Sequence, residues 1–209
     1  MPYFLFQNIP MKLSFAQLLG AVVLAAGLSS GIGTAQAQTK AAEKINKERS
    51  KAAAASSPYT KEQLKYDAEF AVAAASANQL EVALGKLAQQ KAIVQEVKDW
   101  GKTMEQAHTE AGQKLEGIAA RNSIALPQTM SEEDRRIYDD VDDRKYLGFD
   151  KKYLRDLEEL HKRTVQRYAE AATKLSNPEL LAYVTEMLPT LRAHEAQTSV
   201  LFKRANERK

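Results

Sequence analysis

Cysteine is absent from the 209 residues. That excludes disulfides, thiolate metal ligands and the lipid-modified cysteine by which many exported bacterial proteins are anchored. Aromatic residues are few, at 7%. Charge of one sign is missing too: 30 Lys and Arg face 27 Asp and Glu, for a formal net charge of +3. So even a balance does not suit a nucleic-acid binder. No apolar run reaches the roughly 20 residues of a spanning helix. Phosphate loops, nucleophile elbows and dinucleotide fingerprints are also lacking, and no strand pattern competes with the helical one described below.

The N-terminus carries an export pattern. Lys12 precedes an apolar core over residues 13–27, broken only by Ser14 and Gln17, and Ala35-Gln36-Ala37 then matches a small-x-small cleavage site. Residues 1–37 read as a cleavable signal peptide, with Met11 as the natural start, which places the mature protein in the periplasm or cell envelope and not among lipoproteins. Residues 38–59 follow as an Ala-rich linker with five basic residues (Lys40, Lys44, Lys47, Arg49, Lys51) against Glu43 and Glu48. It reads as a tether or frayed helix, a solvated segment with at most a contact to a membrane surface or wall polymer.

From Thr60 onward the spacing predicts a single domain over residues 60–206. Thr60 with Gln63 forms a capping-box pattern. Phe70, Ala74, Ala77, Glu81, Leu84 and Ala88 then recur at helical intervals as one stripe. After a break at residues 92–95, Val97, Gly101, Met104, His108, Ala111, Leu115 and Ile118 repeat it. Residues 123–148 make a long connection with a short helix capped by Ser131. A third stripe from Phe149 carries Leu154, Leu157, His161 and Tyr168. Ser176-Asn177-Pro178-Glu179 punctuates the chain, and Leu180, Val184, Leu191, His194, Thr198 and Leu201 form a fourth, with Pro189 expected to kink it. Two tight turns and one long middle connection predict an all-α, ferritin-like four-helix bundle.

All three histidines lie on apolar seams, each on a different helix, and Glu81 lies on the remaining seam. Buried polar groups are costly unless paired or metal-bound. His161 and His194 are nearly equidistant from the turn at Asn177, and Glu81 and His108 are both mid-helix, so the four converge on one layer. Glu105 and Glu158 each stand three residues before a histidine, the Glu-x-x-His spacing of di-metal bundles. The candidate ligands are therefore Glu81, Glu105, His108, Glu158, His161 and His194. Three imidazoles and a carboxylate suit Zn, Cu, Fe or Mn. The competing reading is a buried polar network that fixes helix register without metal. Taken singly, a seam histidine is more often a hydrogen-bonded core residue than a ligand. The acidic cluster Asp139, Asp140, Asp142 and Asp143 lacks the glycine and spacing of a calcium loop.

The succession Phe70, Glu81-Val82, Leu87-Ala88, Lys91-Ala92, Val97-Lys98 and Met104-x-x-x-His108 resembles an exported bacterial family. So do Leu126-Pro127, Phe149-Asp150-x-x-Tyr153, His161 and Leu188-Pro189 with His194. The family is the ferritin-like domain of unknown function DUF4142, and the likeness spans residues 66–201. The resemblance implies a ferritin-like bundle of the periplasm or envelope with no settled activity, and it places recurring polar positions at Glu81 and the three histidines. The function expected is thus an exported bundle whose biochemical activity the sequence does not fix, with metal binding as its testable chemistry and oxidase or peroxide handling as the enzymatic form. The alternative is a non-catalytic envelope protein acting through its outer faces. A homo-oligomer is compatible with either.

Overall fold

The computed structural model describes residues 31–208, with side chains from residue 36 onward. The apolar stretch 13–27, read as an export signal, lies outside the described residues. What is described is all-helical, without strands: α1 (Gly31–Ala53), α2 (Lys61–Lys91), α3 (Gln95–Arg121), α4 (Glu132–Asp142), α5 (Tyr146–Lys174) and α6 (Pro178–Glu207). No described helix is long and apolar enough to cross a membrane.

Local chemistry sets the helix ends. The Thr60–Gln63 capping box is formed in full at the start of α2. Ser131 accepts from the Asp134 amide and starts α4. At the α5–α6 turn the cap is Asn177, whose side chain accepts from the Glu179 and Leu180 amides while Pro178 fills the first turn. Glu179, in the same turn, accepts from Arg121 and Asn122. α5 begins three residues earlier than the Phe149 expected, with Tyr146 at a left-handed φ of 53°, so Gly148 lies inside the helix. α6 runs on through Pro189.

Two buried aspartates tie the hairpins together. The Asp150 carboxylate near the start of α5 accepts from the Ile93 and Val94 amides of the α2–α3 turn, at 3.1 and 3.0 Å. Asp67, near the start of α2, does the same for the α5–α6 turn, accepting from Ser176 and Asn177 at 2.9 Å each. Each hairpin thus caps the other's turn. The two ties also fix directions: α2 and α6 run one way, α3 and α5 the other. α2 packs on α3 and α5, and α3 on α6, so α3 and α5 are parallel diagonal partners. Connecting them takes a segment as long as the bundle. Residues 122–145, with α4, provide it, lying along α2 through Gln79 to the Pro127 carbonyl (2.9 Å), Ser76 to Asp134, and Lys91 to Asp142 (2.8 Å).

α2 and α3 approach very closely. A Cβ on Gly85 would stand 2.5 Å from the Gly101 carbonyl oxygen, and one on Gly101 would stand 2.7 Å from Ala88 Cβ. Only glycine permits that separation. The core divides along the bundle axis into two apolar clusters. One, around Leu84, Met104, Tyr153 and Leu157, lies toward the α2–α3 turn. The other, around Phe70, Leu115, Tyr168 and Tyr183, lies toward the α5–α6 turn.

The segment expected as a tether or frayed helix is helical to Ala53 and docked on the bundle. α1 buries Ala42, Asn46 and Ser50, a stripe of small residues at spacing four. Asn46 pairs with both backbone groups of Ala125 (2.7 and 2.8 Å), and Arg49 donates to the Ser123 carbonyl at 2.8 Å. A stripe of alanine, asparagine and serine carries little apolar contrast, so its spacing is hard to recognise.

Replacing Asp67 or Asp150 by Ala removes a carboxylate from two turn amides. Each change is expected to lower unfolding free energy in urea by about 2–4 kcal/mol, with the m-value unchanged. A loss within the error of the urea fit at both positions would show that the ties do not hold the hairpins together.

Candidate metal centre

Between the two apolar clusters lies one polar layer. α2 supplies Asn78 and Glu81, α3 supplies His108, α5 supplies His161, and α6 supplies His194 and Thr198. All six are buried, with Glu81 at 1%, His108 at 2%, His161 at 0% and His194 at 7% of full exposure. The sequence spacing explains this directly, since each residue falls on the seam its neighbours define.

The three imidazoles close into a triangle. Ring centroids are 6.2 Å apart for His108 and His161, 5.7 Å for His108 and His194, and 5.6 Å for His161 and His194. One nitrogen from each lies within 4.8 Å of the other two, and among the described residues this is the group whose geometry suits an ion. Imidazoles held tetrahedrally at about 2.0–2.1 Å from one ion place their nitrogens roughly 3.3 Å apart. Closing the triangle therefore takes shifts that side-chain rotation supplies.

Glu81 joins two of the three. Its Oε2 stands 2.9 Å from His161 Nε2 as a hydrogen bond. It stands 2.7 Å from His108 Nε2, but there the ring is out of line for a hydrogen bond, so that nitrogen has distance without a bond. Glu81 Oε1 and His194 Nδ1 are likewise buried without partners. Burial by itself raises the Glu81 carboxyl. The neighbouring His108 and then His161, the latter also by its hydrogen bond, outweigh it and hold the group well below the ordinary carboxylate range. His194 is pushed down to about 4 by burial, then by His108 and His161, against an opposing pull from Glu81. At neutral pH its ring is uncharged and able to bind a cation.

Outer groups orient the rings. Asn78 Oδ1 lies 3.0 Å from His108 Nδ1, and the Asn78 amide donates to the Tyr183 hydroxyl at 3.3 Å, which also receives Tyr168. With the amide this way round, Nδ1 of His108 carries the hydrogen that Asn78 Oδ1 accepts. On the far side Trp100 Nε1 donates to Thr198 Oγ1 (3.1 Å), which stands 3.3 Å from His161 Nδ1. This is how ligating histidines are commonly held. His108 Nε2 and Glu81 Oε2 thus stand 2.7 Å apart with no hydrogen bond between them.

Of the six residues singled out in the sequence, Glu81, His108, His161 and His194 come together. Glu105 and Glu158 do not. Glu105 accepts from Gln89 at 2.7 Å beside Lys86, and Glu158 sits beside Lys162 at 3.8 Å. Spacing put both on the faces of their histidines but could not fix their rotation. Asn78, Trp100 and Tyr183 were not recognised as site residues from sequence, and Thr198 stood on its seam without an assigned role. Asn78 and Thr198 stand three residues before Glu81 and four after His194, and that adjacency is the signal available for them.

The depressed His194 makes a stability prediction. The folded protein binds this proton less readily than the unfolded chain, whose histidine titrates near 6.5. Its contribution is therefore complete above pH 6.5 and is lost as pH falls from 6.5 toward 4, by at most about 3 kcal/mol. In chelator-treated protein, His194→Gln should flatten the urea-measured stability profile across this window. Parallel profiles for the two proteins would contradict the assignment.

Comparison with known proteins gives one match. The family described as Domain of unknown function (DUF4142) covers residues 49–201, from the end of α1 to the end of the α6 seam. No curated protein and no solved structure matches the chain. The match takes in both hairpins, the crossover and every residue of the polar layer, and the chain belongs to the DUF4142 family.

Proposed function

We propose that this protein is an exported, ferritin-like four-helix bundle that binds one divalent transition-metal ion through His108, His161, His194 and Glu81. The observation that carries the reading is the convergence of three buried imidazoles, one from each of three helices, with nitrogens within 4.8 Å beside an ionised carboxylate. Four donors of this kind suit zinc, copper, iron or manganese. The outward turn of Glu105 and Glu158 favours a single ion over a carboxylate-bridged pair. Antiparallel hairpins with parallel diagonal partners and a full-length crossover support the ferritin-like arrangement. The apolar N-terminal core and small-x-small site support export to the periplasm or envelope. A redox-active ion would give the site oxidase or peroxide-handling chemistry.

One observation favours a second reading, a metal-free polar network in a non-catalytic envelope protein. Turning the Asn78 amide over would let Tyr183 donate to Asn78, Asn78 to His108 Nδ1, and His108 Nε2 to Glu81. With a small turn of the His108 ring, Glu81 would then be held by two imidazoles without an ion.

Metal content and binding separate the two. Protein purified without chelators or a His-tag should carry, or take up on titration with Zn(II) or Co(II), about one ion per chain. His108→Ala/His161→Ala should abolish uptake, and Asn78→Leu should weaken it about 10–100-fold by freeing the His108 ring. Failure of the unaltered protein to bind zinc, cobalt, copper, iron or manganese would refute the metal reading and leave the network.

A further inference from the structure

The polar layer is sealed unevenly. Toward α6, Trp100 stands edge-on to His194 with centroids 5.6 Å apart, and its indole is bonded to Thr198. Along the axis, Met104 and Leu157 close one side and Tyr168 with Tyr183 the other, all nearly inaccessible. The side between α2, α3 and residues 126–130 of the crossover differs. A groove of about 770 Å³ runs there, and both His108 and Asn78 form part of its wall.

From this we infer that the groove is the mouth of the metal centre, an outer polar vestibule through which a hydrated divalent cation reaches His108. The inference rests on the metal-binding reading above and adds the route by which the ion enters.

Two features besides the opening point this way. The space beside His108 is kept empty: Gly112, one turn farther along α3, would meet only Asn78 Cβ, at 3.9 Å, if it carried a Cβ. Ala83 across the groove on α2 is also small. Second, the groove carries a buried oxygen with no partner. Gln79 Oε1 is unbonded, while its Nε2 is fixed to the Pro127 carbonyl, so the amide presents an acceptor it cannot readily turn away. Such an oxygen suits the water shell of a cation. The two cationic groups on the wall are already engaged, Arg135 with Asp139 at 2.8 Å and Lys86 beside Glu105 at 3.8 Å. Rotation of Asn78 and His108, and no movement of helices, would open the final step.

The single tryptophan provides the readout, because it touches His194 and Co(II) bound there quenches its fluorescence. Cobalt chloride is mixed in stopped flow with the full chain, with Gly112→Leu and with Ala83→Leu, and equilibrium affinities are measured in parallel. Both positions are only half-buried, and far-UV circular dichroism verifies that each variant is folded. Val200→Phe, on the exposed side of α6, serves as the control. Uptake should slow at least about tenfold in either groove variant, with affinity held within about threefold. Unchanged uptake in both groove variants, or equal slowing in the control, places the entrance elsewhere and overturns this inference while the metal site stands. Absence of cobalt binding to the unaltered chain overturns the metal reading and the route with it.

Discussion

An ionised carboxylate held at 1% exposure in the middle of a helical bundle is the constraint from which the rest of this structure follows. Leaving such a charge uncompensated costs several kcal/mol. Glu81 therefore fixes what each of the other long helices must offer at its height. α3 and α5 bring His108 and His161 against it, and α6 brings His194 beside them. Sliding α3, α5 or α6 by one turn would take its imidazole out of reach of the charge. The layer thus sets the register of all four long helices, and the two apolar clusters pack as separate halves on either side of it. This holds whether a proton or an ion fills the centre.

The central position of α2 explains how so many demands are met at once. It carries the carboxylate, the amide that orients His108, the glycine at the closest helix crossing and the aspartate that caps the opposite turn. Its other faces receive α1 and the crossover. The paired ties from Asp67 and Asp150 act at opposite ends, each hairpin stabilising the turn of the other. A site held between two such clamps is preorganised, because its donors sit on rigid helices and their rings are locked by a further shell of hydrogen bonds.

Helical periodicity made most of this legible. Each seam residue that gave the stripe its rhythm is buried or nearly so, and counting residues from the turns was enough to level the histidines and Glu81. Polar groups defined by three-dimensional neighbours were harder to read. Glu105 illustrates why. Its backbone lies against Gly85, so the tight crossing that glycine permits turns its side chain outward to Gln89 and Lys86. Spacing alone cannot foresee that rotation. Asp67 and Asp150 look like ordinary surface aspartates until the turn of the other hairpin is brought to them. The docking of α1 was not foreseen because its buried stripe is alanine, asparagine and serine, a pattern with almost no hydropathy contrast.

If the layer binds metal as proposed, the same close packing bears on how many ions it can hold. A second ion needs bridging carboxylates one turn above or below the first. One turn toward the α2–α3 end, the interior is filled by Leu84, Met104 and Leu157, each essentially inaccessible. One turn the other way lie Ala77, Ala111, Thr164 and Leu191, none of them a carboxylate. The two glutamates at the right spacing, Glu105 and Glu158, are drawn off to lysines on the flanks. Bringing Glu105 inward would mean separating α2 from α3 at Gly85 and Gly101, where the backbones are in contact. The crossing distance of two helices therefore limits the layer to a single centre, rich in imidazole and with one carboxylate.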